Sequence, residues 1–125
     1  MAIVLLADDD PDYRDAFAVA LEAVGHRVTT VASGAEVKAA IAADLPDIVF
    51  LDVLMPGGGA ISLIHEIHGT HPGLPVVVIT GNAAVFSSPI VTEGMRGADA
   101  RIPKSVSLGE ISQIIDSLLA RTNPA

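Results

Sequence analysis

Short runs of apolar residues alternate along this chain with longer stretches in which apolar positions recur every three or four residues. Ile3-Val4-Leu5-Leu6, Ile48-Val49-Phe50-Leu51 and Pro75-Val76-Val77-Val78-Ile79-Thr80 are too short and too continuously apolar for amphipathic helices, and they read as strands covered on both faces. A further β-branched strand starts near His26, where Val28, Thr30 and Ala32 alternate with Thr29 and Val31, and Ala100-Arg101-Ile102 makes a very short last one. Helical patterns lie between them. Asp10 suits an N-cap and Pro11 the first helical position; Tyr13, Ala16, Phe17, Ala20, Leu21 and Val24 then share a stripe, with Gly25 where a C-terminal cap belongs. Ser33 to Glu36 matches a capping box for a second helix, which runs to about Ala43 and is closed by Leu45-Pro46. Ala60, Leu63, Ile64 and Ile67 mark a third, ended by Gly69 and His71-Pro72-Gly73. A short fourth helix is expected near Pro89 with Ser88 as its cap, in a stretch broken by Ser, Pro and Gly, ending at Gly97-Ala98-Asp99. A second capping box, Ser107 to Glu110, opens a last helix with Leu108, Ile111, Ile115 and Leu118 inward.

Five strands alternating with five helices predict an α/β fold: one parallel sheet with helices on both faces. At 125 residues the chain fits one domain. Half the residues are hydrophobic and only 3% aromatic, so the core is expected to be Val, Ile, Leu and Ala. The net charge of -8 disfavours neutralising phosphate backbones or anionic lipid, and predicts no nucleic acid and no membrane among the partners. Without Cys there is no disulfide framework, thiolate metal site or catalytic thiol. The apolar stretch from Ala2 to Ala7 is too short for a signal segment, and no run approaches a membrane span, so a cytoplasmic protein is expected.

Four of the five strands end in something reactive: Asp8 and Asp9 after the first, Asp52 after the third, Thr80 after the fourth and Lys104 after the fifth. In an open parallel sheet the ligand crevice lies beyond the carboxyl ends of the strands, so these groups should face one another. Three crowded carboxylates repel unless a cation joins them, and a hard ion such as Mg²⁺ needs only one or two of them directly, with waters. Lys104 adds a point charge and Thr80 a hydroxyl donor, a set suited to holding a phosphoryl group, with Asp52 as the nucleophile that carries it as an acyl phosphate. Asp10 and Asp12 are left out of the metal set, one by its capping role and the other by its place in the first helical turn. His65, His68 and His71 repeat every three residues, which reads most simply as a solvated face.

From Ile3 to about Leu119 the chain resembles the receiver domains of two-component response regulators. The resemblance rests on the acidic pair Asp8-Asp9, the phosphoacceptor motif Asp52-Val53-Leu54-Met55-Pro56, the hydroxyl-plus-small pair Thr80-Gly81, and Lys104. It implies a flavodoxin-like (βα)5 sheet with strand order 2-1-3-4-5 and a catalytic set of Asp52, Thr80 and Lys104. It also implies Mg²⁺ held by Asp9, Asp52 and the backbone carbonyl of Leu54, with Asp8 acting through water. By the same resemblance the phosphoryl donor is a sensor histidine kinase or phosphotransfer protein, and the signal passes to a downstream protein of unknown identity. Residues 1–125 are expected to form a single receiver domain with no output domain. Such a chain catalyses its own phosphorylation and slow dephosphorylation without being a conventional turnover enzyme; the apolar Leu54, at a position that tunes dephosphorylation together with Asn82, implies a long-lived phosphoryl state.

The chain departs from the family pattern in four places. Ala60 stands where Gly usually follows the phosphoacceptor loop. Arg101 replaces the aromatic residue of the fifth strand, which bears on how the signal is read out. Ser105 follows Lys104 where the family has a cis proline, so the lysine loop must be held differently; a non-proline cis bond costs about 3–4 kcal/mol, which predicts a trans bond here. The segment from Ala83 to Met95 is the fourth. Arg101 and Ser105 suggest an alternative, a pseudo-receiver module that binds proteins and signals without phosphorylation. An aspartate-nucleophile phosphatase would need a second Asp where Leu54 stands, and a flavin protein would need more aromatics.

Overall fold

The computed structural model describes residues 2–53, 55, 60–81, 89 and 97–122. Five strands, β1 (Ile3–Ala7), β2 (Arg27–Val31), β3 (Ile48–Asp52), β4 (Val76–Thr80) and β5 (Ala100–Pro103), form one sheet in the order β2-β1-β3-β4-β5. Every neighbouring pair is parallel. Both the fold class and the strand order therefore match expectation. The helices are α1 (Pro11–Ala23), α2 (Val37–Ala43), α3 (Ala60–Thr70) and a C-terminal helix (Leu108–Thr122). Of the expected fourth helix only Pro89, which is helical, is described; Ser88 and the glycines at 57–59 lie outside the described residues.

The strands alternate between two cores, as a pleated sheet covered on both faces must. Leu5, Val49, Leu51, Val76 and Val78 pack with Val37 and Ile41 of α2 and with Leu63, Ile64 and Ile67 of α3. Val4, Leu6, Ile48, Phe50, Val77 and Ile79 pack with Phe17 and Leu21 of α1 and with Ile111, Ile115 and Leu118 of the C-terminal helix. All five residues of β3 and of β4 are buried, whereas the edge strand β2 has none buried. That difference explains why the central runs are continuously apolar and β2 is threonine-rich.

Local signals were realised unevenly. Asp10 caps α1 as expected, its carboxylate accepting from the N–H groups of Asp12 and Tyr13, with Pro11 in the first turn. Gly25 closes that helix in the left-handed region, at φ 97°. A Cβ added there would meet nothing within 4 Å, so Gly25→Ala should cost stability through backbone strain alone. A loss of about 1 kcal/mol in urea unfolding is expected. Two members of the predicted α1 stripe do not turn inward: Ala16 is exposed, and Val24 falls just past the last helical residue, on the surface. The first capping box is not made. Residues Gly34–Glu36 form a 3-10 turn, the Ser33 hydroxyl meets the Glu36 side chain at 3.3 Å, and Glu36 accepts instead from the Ala32 N–H at 3.3 Å. In this tighter turn the Ser33 side chain makes no capping hydrogen bond to a backbone amide. At the C-terminal helix the Ser107 hydroxyl does accept from the Glu110 N–H, at 3.2 Å.

Candidate functional site

The carboxyl ends of β1 and β3 lie side by side, because Ala7 pairs with Leu51 in the parallel register. This places Asp8 and Asp52 on the same rim, both buried, with the exposed Asp9 beside them. One carboxylate oxygen from each lies within 4.8 Å of the others. Among the described residues no other such cluster of three metal-ligating side chains occurs. The three histidines do not converge: His68 Nε2 stands 3.7 Å from Asp99 Oδ2, while His71 Nδ1 meets the Thr70 hydroxyl at 2.9 Å.

Asp8 is held from several sides. Its Oδ1 accepts from the Asp10 N–H at 2.9 Å, and its carbonyl accepts from Arg14 at 2.8 Å. Its Oδ2 lies 2.6 Å from Lys104 Nζ, a contact governed by charge rather than by hydrogen-bond direction. The same ammonium donates to Asp52 Oδ2 at 3.3 Å. Lys104 reaches this position from the loop after β5, whose backbone is tied to β4 by the Lys104 N–H donating to the Thr80 carbonyl at 2.8 Å. Thr80 itself is fully buried at the end of β4. There is no cis peptide among the described residues, so the Lys104–Ser105 bond is trans as expected.

Asp8, Asp9, Asp52, Thr80 and Lys104, the reactive strand ends, all lie at this rim. Leu54 and Asn82 lie outside the described residues. Arg101 is exposed on β5. Two residues escaped notice. Arg14, which anchors the Asp8 carbonyl, sits one position after Tyr13, and the apolar pattern gives Tyr13 only a place on the inward stripe of α1. The Tyr13 ring lies under the Lys104 ammonium, 4.8 Å from Nζ to the ring centroid. The signal available was position: it is the chain's single tyrosine, placed in the helix that starts directly from the acid pair.

The charges of the site show in its titration. Burial works to lower the Lys104 pKa, but contact with Asp8 and the charge of Asp52 outweigh it and hold the ammonium above its ordinary 10.5. Tyr13 is pushed up from 10.0 to about 12, first by burial and then by the Asp8 and Asp52 charges, all of which disfavour the phenolate. A value raised on folding contributes stability that is whole below the unfolded value and is lost as pH climbs toward the folded one. For Tyr13 that window runs from 10.0 to about 12. With one Tyr and no Trp, tyrosinate absorbance reports this residue alone. The native protein should titrate near 12 and the urea-unfolded chain near 10.0; a native midpoint equal to the unfolded one would show the ring to be open to water.

A doubly wound parallel sheet carrying an acid trio and a lysine at its carboxyl rim defines a class of α/β proteins built to bind at that rim. The chain belongs within it to the response regulator receiver domain family, whose model matches residues 4–116. The response regulator MprA of Mycobacterium tuberculosis is 34% identical over 121 residues, covering 97% of this chain and 52% of MprA. The probable transcriptional regulatory protein TcrX of the same organism is 32% identical over 119 residues, covering 95% of this chain and 50% of TcrX. The crystal structure of a CheY-like receiver domain protein from Methanospirillum hungatei superposes with a TM-score of 0.89 at 26% identity, covering 98% of this chain and 96% of that one.

The chain is thus a receiver domain homologous to response regulators, a family of phosphorylation-dependent signalling. The chain spans about half the length of the two mycobacterial relatives. Because TcrX is described as a transcriptional regulator, the expected exclusion of nucleic acid is not supported: net charge speaks only for these 125 residues. Among the described residues no helix is long and apolar enough to cross a membrane.

Proposed function

We propose that residues 1–125 work as a phosphorylatable switch in which Asp52 accepts a phosphoryl group from a phosphohistidine on a sensor kinase or phosphotransfer protein. The observation that carries this reading is the convergence of Asp8, Asp9 and Asp52 with the Lys104 ammonium at one rim. A carboxylate oxygen of Asp52 forms the new O–P bond as the bond from phosphorus to the imidazole nitrogen breaks, the leaving nitrogen keeping the electron pair and taking up a proton. Lys104 neutralises charge on the phosphoryl oxygens and Thr80 offers a hydroxyl. Asp8 is held at its carboxylate by the Asp10 N–H and at its carbonyl by Arg14, so this acid needs little rearrangement before the reaction.

The trio fits Mg²⁺: its donors are all hard carboxylate oxygens close enough to share one ion, and their mutual repulsion calls for a second cation beside Lys104. Asp9 and Asp52 would hold it directly and Asp8 through water, with the Leu54 carbonyl completing the set. When bound, the ion neutralises negative charge at the phosphoryl oxygens. The reading is tested with acetyl phosphate. Wild-type protein with Mg²⁺ should gain one base-labile phosphoryl group by intact mass, and EDTA should abolish the gain; no gain with Mg²⁺ present would sink the switch. Asp9→Ala should weaken Mg²⁺ binding by more than about tenfold, followed through Tyr13 fluorescence, and unchanged affinity would overturn the ligand assignment.

A further inference from the structure

Lys104 is held at its backbone by the bond to the Thr80 carbonyl and by a turn in which the Val106 N–H donates to the Pro103 carbonyl at 3.2 Å. Neither contact aims the side chain. A lysine stem has four rotatable bonds and loses roughly 2 kcal/mol of rotamer freedom when fixed. The two carboxylates attract the ammonium without confining it to one approach. The Tyr13 ring supplies a surface: Nζ sits 4.8 Å from its centroid, so the ammonium is flanked by Asp8, by Asp52 and by a π face. Only 17% of the Lys104 side chain remains exposed.

The ring is itself braced. Tyr13 packs against Phe17 with centroids 6.0 Å apart, and Phe17 meets Phe50 edge-on at 5.2 Å. Phe17 and Phe50 are both fully buried, and Phe50 lies two residues before Asp52 on β3. An aromatic post therefore runs from the core strand that carries the acceptor up to the lysine that faces it. The Tyr13 hydroxyl is buried and has no hydrogen-bond partner among the described residues, where no polar contact of that group accounts for the ring's place.

We propose that Tyr13 is a positioning residue that sets the Lys104 ammonium against Asp8 and Asp52 through a cation–π contact. The rate claim rests on the switch reading above; the placement of Lys104 does not. The ring does the positioning and the hydroxyl is dispensable, so Tyr13→Phe behaves as wild type, whereas Tyr13→Leu and Tyr13→Met lose the face while keeping an apolar side chain at the site.

Two measurements test this on the full chain. In NMR spectra the Lys104 Cε protons should be shifted upfield by the ring current, with Lys38, the only other lysine, as reference. The shift should persist in Tyr13→Phe and vanish in the Leu and Met variants. With acetyl phosphate and Mg²⁺, the Leu and Met variants should be phosphorylated about five- to tenfold more slowly, which corresponds to roughly 1–1.4 kcal/mol, at thermal midpoints that show them folded, and Phe should restore the rate. An unshifted Lys104 in wild type, or Leu and Met variants that react at the wild-type rate, would overturn the proposal. If wild type takes up no phosphoryl group, the switch reading fails, and the Lys104 shift alone decides whether Tyr13 places the ammonium.

Discussion

Asp52→Asn protein incubated with acetyl phosphate and Mg²⁺ takes up no phosphoryl group, while its fold and its far-UV spectrum stay those of wild type. The amide keeps the shape of the carboxylate but not its charge, and an amide oxygen is too weak a nucleophile to form the acyl phosphate. Removing that charge also changes the rim. Asp52 is 4% exposed and shares Lys104 with the fully buried Asp8, so the neutral variant leaves one ammonium to one carboxylate. Asp52→Asn should therefore be no less stable than wild type without metal, and should gain less from Mg²⁺. Residual labelling at Asp52→Asn, mapped to another aspartate, would show that the acceptor had been misassigned.

The second large effect is expected at Lys104. Replacing it with Ala removes the ammonium that stands between Asp8 and Asp52, and removing one partner of a buried charged set costs about 3 kcal/mol or more. Lys104→Ala should lose stability on that scale at neutral pH in EDTA, measured by urea unfolding. Mg²⁺ should return part of it, because an ion that binds only the folded acid trio stabilises by linkage. Adding Asp52→Asn to Lys104→Ala should return part of it as well, since the penalty belongs to the pair of carboxylates and not to the missing lysine stem. In wild type the pair's contribution should be whole below pH 10.5, the unfolded lysine value, and fade above it, because the folded value is raised. A Lys104→Ala protein as stable as wild type without metal would mean that the acids are hydrated rather than buried together.

Much of this was legible along the chain, for identifiable reasons. A strand buried on both faces has no position for a polar residue until it reaches the rim, so β3 and β4 announce both their interior and their end, and Asp52 and Thr80 stand at those ends. Asp10-Pro11 could be read as a cap because capping is a contact between residues two and three apart. Ser33 and Glu36 are equally local and still form a 3-10 turn with no side-chain cap, just before Val37 and Ile41 enter the core. The inward stripe of α1 was also too broad. Phe17 and Leu21 fill the core, and Ala16 and Val24 are left on the surface.

The order of residues by itself determined the alternation of strands and helices, the apolar identity of the central strands and the reactive groups at their ends, because these follow from local geometry and from which side chains water excludes. Tertiary structure alone decided that Lys104 stands between Asp8 and Asp52, the latter 52 positions away along the chain, and that Tyr13 lies beneath its ammonium. Those distances depend on strand order, on the parallel register of β1 with β3 and on how α1 seats Phe17 against Phe50. No periodicity encodes them: a stripe says that a residue turns inward, and only packing says what it meets there.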